Sequence, residues 1–184
     1  MAKAIKTVKE KSRLQSLLSK ISKGKSLLQQ WIDLDPIYVG KKASADYEQS
    51  IHRHLIESTD QVSIDGHWCE FGVREGRSLR WLIEEYPTQI IHAFDSWQGL
   101  PEEWDNGTGK VADMSCEPPA VPTHIKLHKG WFKETLPTWK QNHRGPIAFL
   151  HMDADIYSST KEVLTSLNDQ IVPNTIITFD EFCN

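Results

Sequence analysis

The chain has 184 residues, of which 39% are hydrophobic and 25% charged, and its net charge at pH 7 is −4. This length suits one domain with a single core, and no apolar run is long enough to cross a bilayer as a helix, which argues against an integral membrane protein. The first residues lack the apolar core of a secretory signal, and the three cysteines form no disulfide or zinc pattern, so we expect a cytoplasmic protein with reduced thiols.

The first 60 residues predict a helical segment. Apolar residues recur at three- and four-residue steps over residues 4–32, and a second helix is expected at 44–58. Residues 1–30 carry eight Lys or Arg against one Glu, so this segment is basic although the chain as a whole is acidic. A basic arm can bind nucleic acid or a membrane surface, but a solvated helix face explains the charge as well. We expect residues 1–60 to form a helical cap or an oligomerisation arm.

From residue 66 onward, short apolar runs alternate with helical stretches, which is the pattern of a parallel α/β sheet. The segment 96–123 is too long for a simple connection and is expected to be a lid or substrate loop. Residues 159–162 read Ser-Thr-Lys-Glu, a capping box that predicts the start of a helix. The sequence therefore predicts a doubly wound, Rossmann-like α/β domain over residues 61–184. Its five strands are expected at 67–71, 90–95, 124–128, 146–152 and 175–180, and its helices at 77–86, 132–141 and 159–170.

A glycine-containing turn follows the first predicted strand. Gly72 and Gly76 allow a sharp turn and the close approach of a ligand before the next helix begins. Asp95, at the end of the second strand and 25 residues after Glu70, matches the acidic group that holds a ribose diol. Glu70 and Glu75 place negative charge where the phosphates of a dinucleotide would lie, so a cationic, adenosine-type cofactor is favoured over NAD or FAD. The alternative is that the glycines only shape a turn that Asp95 caps.

Acidic residues follow the fourth and fifth predicted strands. Asp153 and Asp155 come after the fourth strand, and Asp180 and Glu181 end the fifth. Neighbouring strands lie about 4.8 Å apart, so Asp153, Asp180 and Glu181 should converge if these strands are adjacent. Clustered carboxylates repel one another unless a cation neutralises them, and an all-oxygen set suits Mg²⁺. The alternative is that these acids cap helices or form salt bridges.

Four aromatic or histidine side chains near strand ends are further candidates for the site. Trp97 and Trp131 follow the second and third strands, where the ring of a cofactor could stack on them. His128 and His151 are candidate proton acceptors at the ends of the third and fourth strands. A structural role is the alternative for each of the four.

Several phrases of the sequence together resemble one family. They are the loop 70–78, Phe94-Asp95-Ser96-Trp97-Gln98-Gly99-Leu100-Pro101, Lys129-Gly130-Trp131-Phe132, Thr135-Leu136-Pro137, His151-Met152-Asp153-Ala154-Asp155-Ile156-Tyr157-Ser158-Ser159-Thr160-Lys161 and Phe179-Asp180-Glu181-Phe182. Through them, residues 69–182 are similar to the macrocin O-methyltransferase family, which methylates sugar hydroxyls of macrolides and related natural products. The resemblance implies a class I methyltransferase fold that binds S-adenosylmethionine, with Mg²⁺ near the substrate hydroxyl.

The resemblance also implies roles for individual residues. The residues expected to bind the cofactor are Glu70, Gly72, Val73, Gly76, Ser78, Asp95, Ser96, Gly130 and Trp131. Those expected to hold the metal are Asp153, Asp180 and Glu181, although the family commonly has two aspartates where this chain has the pair 180–181. The residues expected to act in catalysis are Asp153, Asp155 and His151, with the proton passing to His151, His128 or Asp155.

These observations predict an S-adenosylmethionine-dependent and Mg²⁺-dependent O-methyltransferase that acts on a hydroxyl of a small molecule, with a sugar moiety as the expected acceptor. The family continues into two further strands, whereas this sequence ends at Asn184. We therefore expect either a fragment or truncated homologue, or a second chain that covers the fifth strand; the uncovered strand predicts self-association. The alternative function is a truncated, non-catalytic module that binds S-adenosylmethionine or serves in assembly. A nucleic-acid methyltransferase is disfavoured, because the main domain is acidic and an Asn-Pro-Pro-Tyr-type motif is absent.

Overall fold

The computed structural model describes residues 47–103, 110–111 and 114–180. Its helices and strands are, in chain order, α1 (Tyr47–Thr59), β1 (His67–Phe71), α2 (Arg77–Glu85), β2 (Ile91–Asp95), β3 (Ile125–Lys129), α3 (Phe132–Asn142), β4 (Ile147–Met152), α4 (Tyr157–Ser166) and β5 (Ile171–Phe179). The helix expected at 4–32 lies outside the described residues. Within the described ranges, no helix combines the length and the apolar character needed to cross a membrane.

The five strands form one parallel sheet in the order β3-β2-β1-β4-β5. The chain moves outward from β1 through β2 to β3 and then returns to place β4 on the other side of β1. Such a reversal leaves a crevice at the carboxyl ends of the two strands between which it occurs, here β1 and β4. The predicted fold class, a doubly wound, Rossmann-like α/β sheet, is confirmed.

The core lies on both faces of the sheet, because successive side chains of a strand point to opposite faces. Helices α1 and α2 cover one face, and α3 and α4 cover the other. Buried side chains of the first layer include Leu55, Trp68, Leu79, Leu82, Ile91 and Phe149. Buried side chains of the second layer include Cys69, Phe71, Phe94, Leu136, Trp139, Leu150 and Val163. The central strand, β1, and its two neighbours, β2 and β4, are therefore covered on both faces.

Helix α4 begins earlier than the sequence indicated. Its first residue is Tyr157 rather than Ser159, and its N-cap residue, Ile156, makes no capping hydrogen bond through its side chain. Asp155, with a φ of 57°, turns the chain from β4 directly into the helix. The predicted capping box at 159–162 was therefore wrong, since these residues lie inside the first turns of the helix.

Strand β5 begins four residues earlier than expected. Ile171 already pairs with Ile147, and an irregularity in the pairing follows before Ile176 pairs with Phe149. Asn174, with a φ of 75°, lies in this irregular part of the strand. Among the described residues, β5 pairs with β4 alone. The N–H and C=O groups on its outer edge can therefore pair with another strand, and the self-association expected from the sequence stays a prediction.

Four histidines and Trp139 form an aromatic cluster on the α3 side of the sheet. His92 Nδ1 and His128 Nε2 lie 3.1 Å apart and share a hydrogen bond. The ring of His92 also contacts His143, at 4.5 Å between centroids, and His67, at 5.7 Å. Burial, together with the charge of His143, lowers the pKa of His92 to about 3 and that of His128 to about 4. The folded protein therefore holds both rings in the neutral form at neutral pH.

This histidine cluster predicts a loss of stability in acid. In the unfolded chain both imidazoles take up protons as the pH falls through 6.5, whereas in the folded protein they do so only near pH 3 to 4. Protons bind preferentially to the unfolded state between these values, so the free energy of unfolding should fall as the pH decreases from about 6.5 towards 4. Urea denaturation at a series of pH values measures the slope.

Two variants assign that slope to the cluster. His128→Gln removes one of the two titrating rings and should flatten the pH dependence of the unfolding free energy in this window. His52→Gln is the matched control, because His52 lies on α1 and packs against Trp81, outside the cluster. An equal slope in wild type and both variants would contradict the assignment.

Candidate functional site

The carboxyl ends of the strands surround a crevice of about 640 Å³. This volume is in the range of protein sites for small molecules and cofactors. The predicted site residues that line it are Gly72, Val73, Ser78, Asp95, Ser96, Gly130, Trp131, Asp153, Asp155 and Asp180. The structure thus brings together residues that lie after all five strands.

Hydrogen bonds of the sheet continue past the strand ends and fix the crevice residues. The N–H of Gly72 donates to a carbonyl of β2 at 3.0 Å, that of Asp153 to a carbonyl of β1 at 2.8 Å, and that of Asp180 to a carbonyl of β4 at 3.0 Å. These three residues therefore lie side by side at the edge of the sheet. Their positions are set by the sheet itself rather than by the loops that follow.

Gly72 passes so close to Asp153 that a side chain cannot be accommodated. Its φ is 86°, and a Cβ atom at this position would lie 1.6 Å from the carbonyl oxygen of Asp153. Gly76, with a φ of 76°, is the N-cap residue of α2, and a Cβ there would lie 3.1 Å from the ring of Pro119. The two glycines shape the turn as the sequence predicted, but Gly76 does not itself line the crevice.

Asp95 holds the loop between the two glycines. Its Oδ2 accepts hydrogen bonds from the N–H groups of Val73, at 2.8 Å, and Arg74, at 2.7 Å, and its Oδ1 accepts one from the N–H of Trp97, at 2.7 Å. Arg74 and Trp97 have φ values of 50° and 53°, so the carboxylate stabilises two residues in strained conformations. A carboxylate has about four acceptor positions, which leaves room for one further donor from a ligand.

Trp97 and His128 do not lie where the sequence suggested. Trp97 is 5% exposed, and its Nε1 donates to the carbonyl of Arg74 at 2.9 Å, so it secures the loop from the core and does not line the crevice. His128 points to the face covered by α3, where it stacks on Phe94. For both residues the structural role, given above as the alternative, is therefore confirmed, and the roles in the crevice are not. Trp131 does line the crevice, as expected.

Glu70 lies beneath the crevice rather than in its wall. It is fully buried, and its Oε1 accepts hydrogen bonds from Ser78 Oγ and from His151 Nδ1, the latter at 3.2 Å. Its Oε2 has no hydrogen-bond partner in the described part of the chain. The direct contact with the cofactor that the sequence suggested for Glu70 stays a prediction.

Asp153 and Asp180 converge, and His151 joins them. One ligand atom from each of the three lies within 4.8 Å of the other two. Burial raises the pKa of Asp153 to about 7, and the charges of Asp180, Asp155 and Glu70 add to the rise, while His151 opposes it. Burial lowers the pKa of His151, but the hydrogen bond and charge of Glu70, with the charges of Asp153 and Asp180, outweigh it and raise that pKa overall. This donor set and its excess negative charge fit a divalent cation.

The third metal ligand expected from the sequence, Glu181, lies outside the described residues. The sequence predicts His151 as a proton acceptor, but not that His151 belongs to the same cluster as Asp153. The signal was present, because residues two apart on a strand share a face, and His151 lies two positions before Asp153.

The loop after β2 forms one wall of the crevice. The described parts of 96–123 contribute Leu100, Glu102 and Met114 to the lining, none of which had been singled out from the sequence. Glu102 Oε1 accepts a hydrogen bond from Ser158 Oγ on α4 at 2.5 Å, which ties this loop to the far side of the crevice. The loop therefore borders the crevice, and its role as a lid or substrate loop stays a prediction.

Known proteins are similar to this chain in sequence and in fold. A family model described as a methyltransferase domain matches residues 69–182. Mycinamicin III 3''-O-methyltransferase of Micromonospora griseorubida is 26% identical, over 71% of this chain and 61% of that protein. Demethyldecarbamoylnovobiocin O-methyltransferase of Streptomyces niveus is 24% identical, over 71% of this chain and 58% of that protein. The crystal structure of CalS11, a calicheamicin methyltransferase, matches with a TM-score of 0.65 at 21% identity, over 96% of this chain and 79% of that one. The chain spans about three fifths of the length of these curated relatives.

The close approach at Gly72 predicts that Gly72→Ala destabilises the protein. The added methyl group must displace the carbonyl of Asp153 and also strains a φ of 86°. Overpacking and backbone strain each cost about 1–3 kcal/mol, so the free energy of unfolding should fall by roughly 2–6 kcal/mol. Gly145→Ala is the matched control, since Gly145 has a φ of 101° but no atom within 4 Å of an added Cβ. Equal losses in the two variants, measured by urea denaturation, would contradict the close approach.

Proposed function

The chain belongs to the methyltransferase-domain family, whose model matches residues 69–182, and we propose that it is an O-methyltransferase. It transfers a methyl group from S-adenosylmethionine to a hydroxyl group of a small molecule, and it uses Mg²⁺ to do so. We place the hydroxyl on a sugar moiety, in line with the resemblance to the macrocin O-methyltransferase family. Relatives named as mycinamicin III 3''-O-methyltransferase and as a methyltransferase of a rhamnosyl tetracenomycin support this choice.

One observation carries the proposal. The two predicted half-sites, the turn at Gly72 with Asp95 and the pair Asp153 and Asp180, line the same crevice. A methyl donor at the first half-site and an acceptor hydroxyl at the second would therefore lie next to each other. Holding two reactants together in this way removes much of the entropic cost of their reaction.

The first half-site suits the cofactor. The turn at Gly72 and the residues Val73 and Arg74 that follow it line the crevice, and Asp95 fixes this loop by accepting hydrogen bonds from the N–H groups of Val73 and Arg74. The remaining acceptor capacity of Asp95 suits a ribose hydroxyl. Gly130 and Trp131, after β3, offer a flat surface for the adenine ring. The excess of acidic residues around the crevice suits the positive charge of a sulfonium.

The second half-site suits the acceptor. Asp153 and Asp180 would hold the cation, which when bound polarises the acceptor hydroxyl and lowers its pKa. In the reaction the hydroxyl oxygen forms the new C–O bond as the C–S bond of the sulfonium breaks, and the electron pair of that bond stays on sulfur. The hydroxyl proton leaves to Asp155, which lines the crevice, or to His151, which lies buried directly beneath it.

The alternative predicted from the sequence, a module that binds S-adenosylmethionine without methyl transfer, makes a different prediction for activity. Such a module would keep the cofactor half-site and would methylate no acceptor. The homo-oligomer, the cytoplasmic location and the helical cap at 1–60 stay predictions alongside the proposed reaction.

The separation of the half-sites predicts opposite effects of two matched variants. Asp153→Asn removes a cation ligand, so it should abolish the rise of the melting temperature with Mg²⁺ that linkage predicts for a bound ion, and it should leave the affinity for S-adenosylhomocysteine unchanged. Asp95→Asn should lower that affinity roughly ten- to hundredfold, through the loss of charge-assisted hydrogen bonds, and should leave the effect of Mg²⁺ unchanged. Calorimetry and thermal unfolding measure the two effects.

Methyl transfer to a panel of sugar and catechol hydroxyls completes the experiment. Both variants should lose most of the activity of the wild type, Asp153→Asn because it lacks a cation ligand and Asp95→Asn because it binds the cofactor weakly. Loss of both binding properties in either variant would mean that the half-sites are not separate. A wild type that binds the cofactor and methylates none of the acceptors would favour the non-catalytic module.

A further inference from the structure

A row of buried polar side chains lies beneath the crevice. Glu70 on β1, His151 on β4 and Thr178 on β5 are partners in register across three adjacent strands. They are 0%, 1% and 3% exposed. Because side chains two positions apart on a strand share a face, this row is the layer directly below the crevice residues. Those residues, two positions further on, are Gly72, Asp153 and Asp180.

The burial of the Glu70 carboxylate destabilises the fold. One of its oxygens accepts two hydrogen bonds, but the other has no partner among the described residues, and a buried carboxylate with incomplete pairing destabilises a fold. On the neighbouring strand β2, the residue in register with Glu70 is Ala93, which fills the same layer without any polar group. Packing alone therefore does not account for an acid at this position, and a role in the site above it does.

The hydrogen bond between Glu70 and His151 fixes the imidazole. A carboxylate can only accept, so Nδ1 of His151 carries the hydrogen and donates it to Glu70. The other ring nitrogen, Nε2, is then the one with a lone pair to offer. One nitrogen of this ring lies within 4.8 Å of an oxygen from each of Asp153 and Asp180. Because Nδ1 is hydrogen-bonded to Glu70, Nε2 is the nitrogen that can bind a cation together with those two carboxylates.

We propose that Glu70 is a positioning residue that holds His151 as a third, nitrogen ligand of the cation bound by the carboxylate pair. The inference rests on the cation of the proposed function and adds a member to its ligand set. One imidazole in the set raises the affinity for ions such as Co²⁺, which accept nitrogen readily, relative to Mg²⁺, which prefers oxygen. It also leaves Asp155, rather than His151, to receive the proton of the acceptor hydroxyl.

The test compares the affinities of Co²⁺ and Mg²⁺ for the full chain, measured by calorimetry, in wild type, Glu70→Gln and Thr178→Val. Residues that hold a metal-binding histidine in place typically contribute ten- to hundredfold to metal affinity. Glu70→Gln should therefore weaken the binding of Co²⁺ by about that factor and the binding of Mg²⁺ by less. The affinity for Co²⁺ divided by the affinity for Mg²⁺ should therefore be lower in Glu70→Gln than in wild type. Thr178→Val is the matched control, because it removes another buried polar group of the same row, one whose hydroxyl has no partner in the described part of the chain.

The outcomes separate this inference from the proposed function. An unchanged ratio in Glu70→Gln, or an equal fall of the ratio in Thr178→Val, would overturn the positioning role and leave the cation site in place. A wild type that binds neither ion would overturn both.

A measurement on the wild type keeps the inference testable if Glu70→Gln does not fold. Nitrogen-15 NMR of the imidazole rings reports which nitrogen carries hydrogen. For His151, Nδ1 should remain protonated before and after Zn²⁺ is added, and the Nε2 resonance should move on addition. A hydrogen on Nε2 in the presence of Zn²⁺, or an Nε2 resonance that stays in place, would contradict the assignment.

Discussion

The contact between Gly72 and Asp153 is the constraint on which the site depends. The N–H of Asp153 donates to the last carbonyl of β1, and the absence of a side chain at Gly72 lets the two loops meet at that point. The cofactor loop and the acidic cluster thereby become two walls of one crevice. Asp95 then reaches from β2 to hold the cofactor loop, and Trp97 supports it from the core. The geometry of both half-sites follows from the way β1 and β4 end.

Negative charge gathers at the β4 side of the crevice. Asp153 and Asp180 lie at its wall, and Glu70 lies buried below. Burial, with the charges of Asp180, Asp155 and Glu70, raises the pKa of Asp153 to about 7, although His151 opposes the rise. A site arranged for stability alone would spread or neutralise these charges, since burial of unpaired charge is costly. The ligands of the proposed reaction are a sulfonium and a divalent cation, and both would be attracted to such a crevice. Its electrostatics and its proposed chemistry therefore agree.

The sequence predicts most of the sheet and part of the site. Gly72, Asp95 and Asp153 could be located because each follows a recognisable strand, and the ends of parallel strands meet at one edge. The position of the Trp97 ring could not be predicted from the sequence, because a backbone turn with a φ of 53° directs the ring into the core. The pairing of Glu70 with His151 depends on β1 lying next to β4, and spacing along the chain does not reveal which strands are neighbours.

The central claim, that one crevice holds the cofactor at Gly72 and a cation at Asp153, is tested most directly by crystals of the chain grown with S-adenosylhomocysteine and Co²⁺. Anomalous scattering locates the ion independently of any model of the protein. We expect one strong peak between Asp153, Asp180 and His151, with the ribose of the ligand beside Asp95. A cation peak at another place, or a ligand outside the crevice, would contradict it.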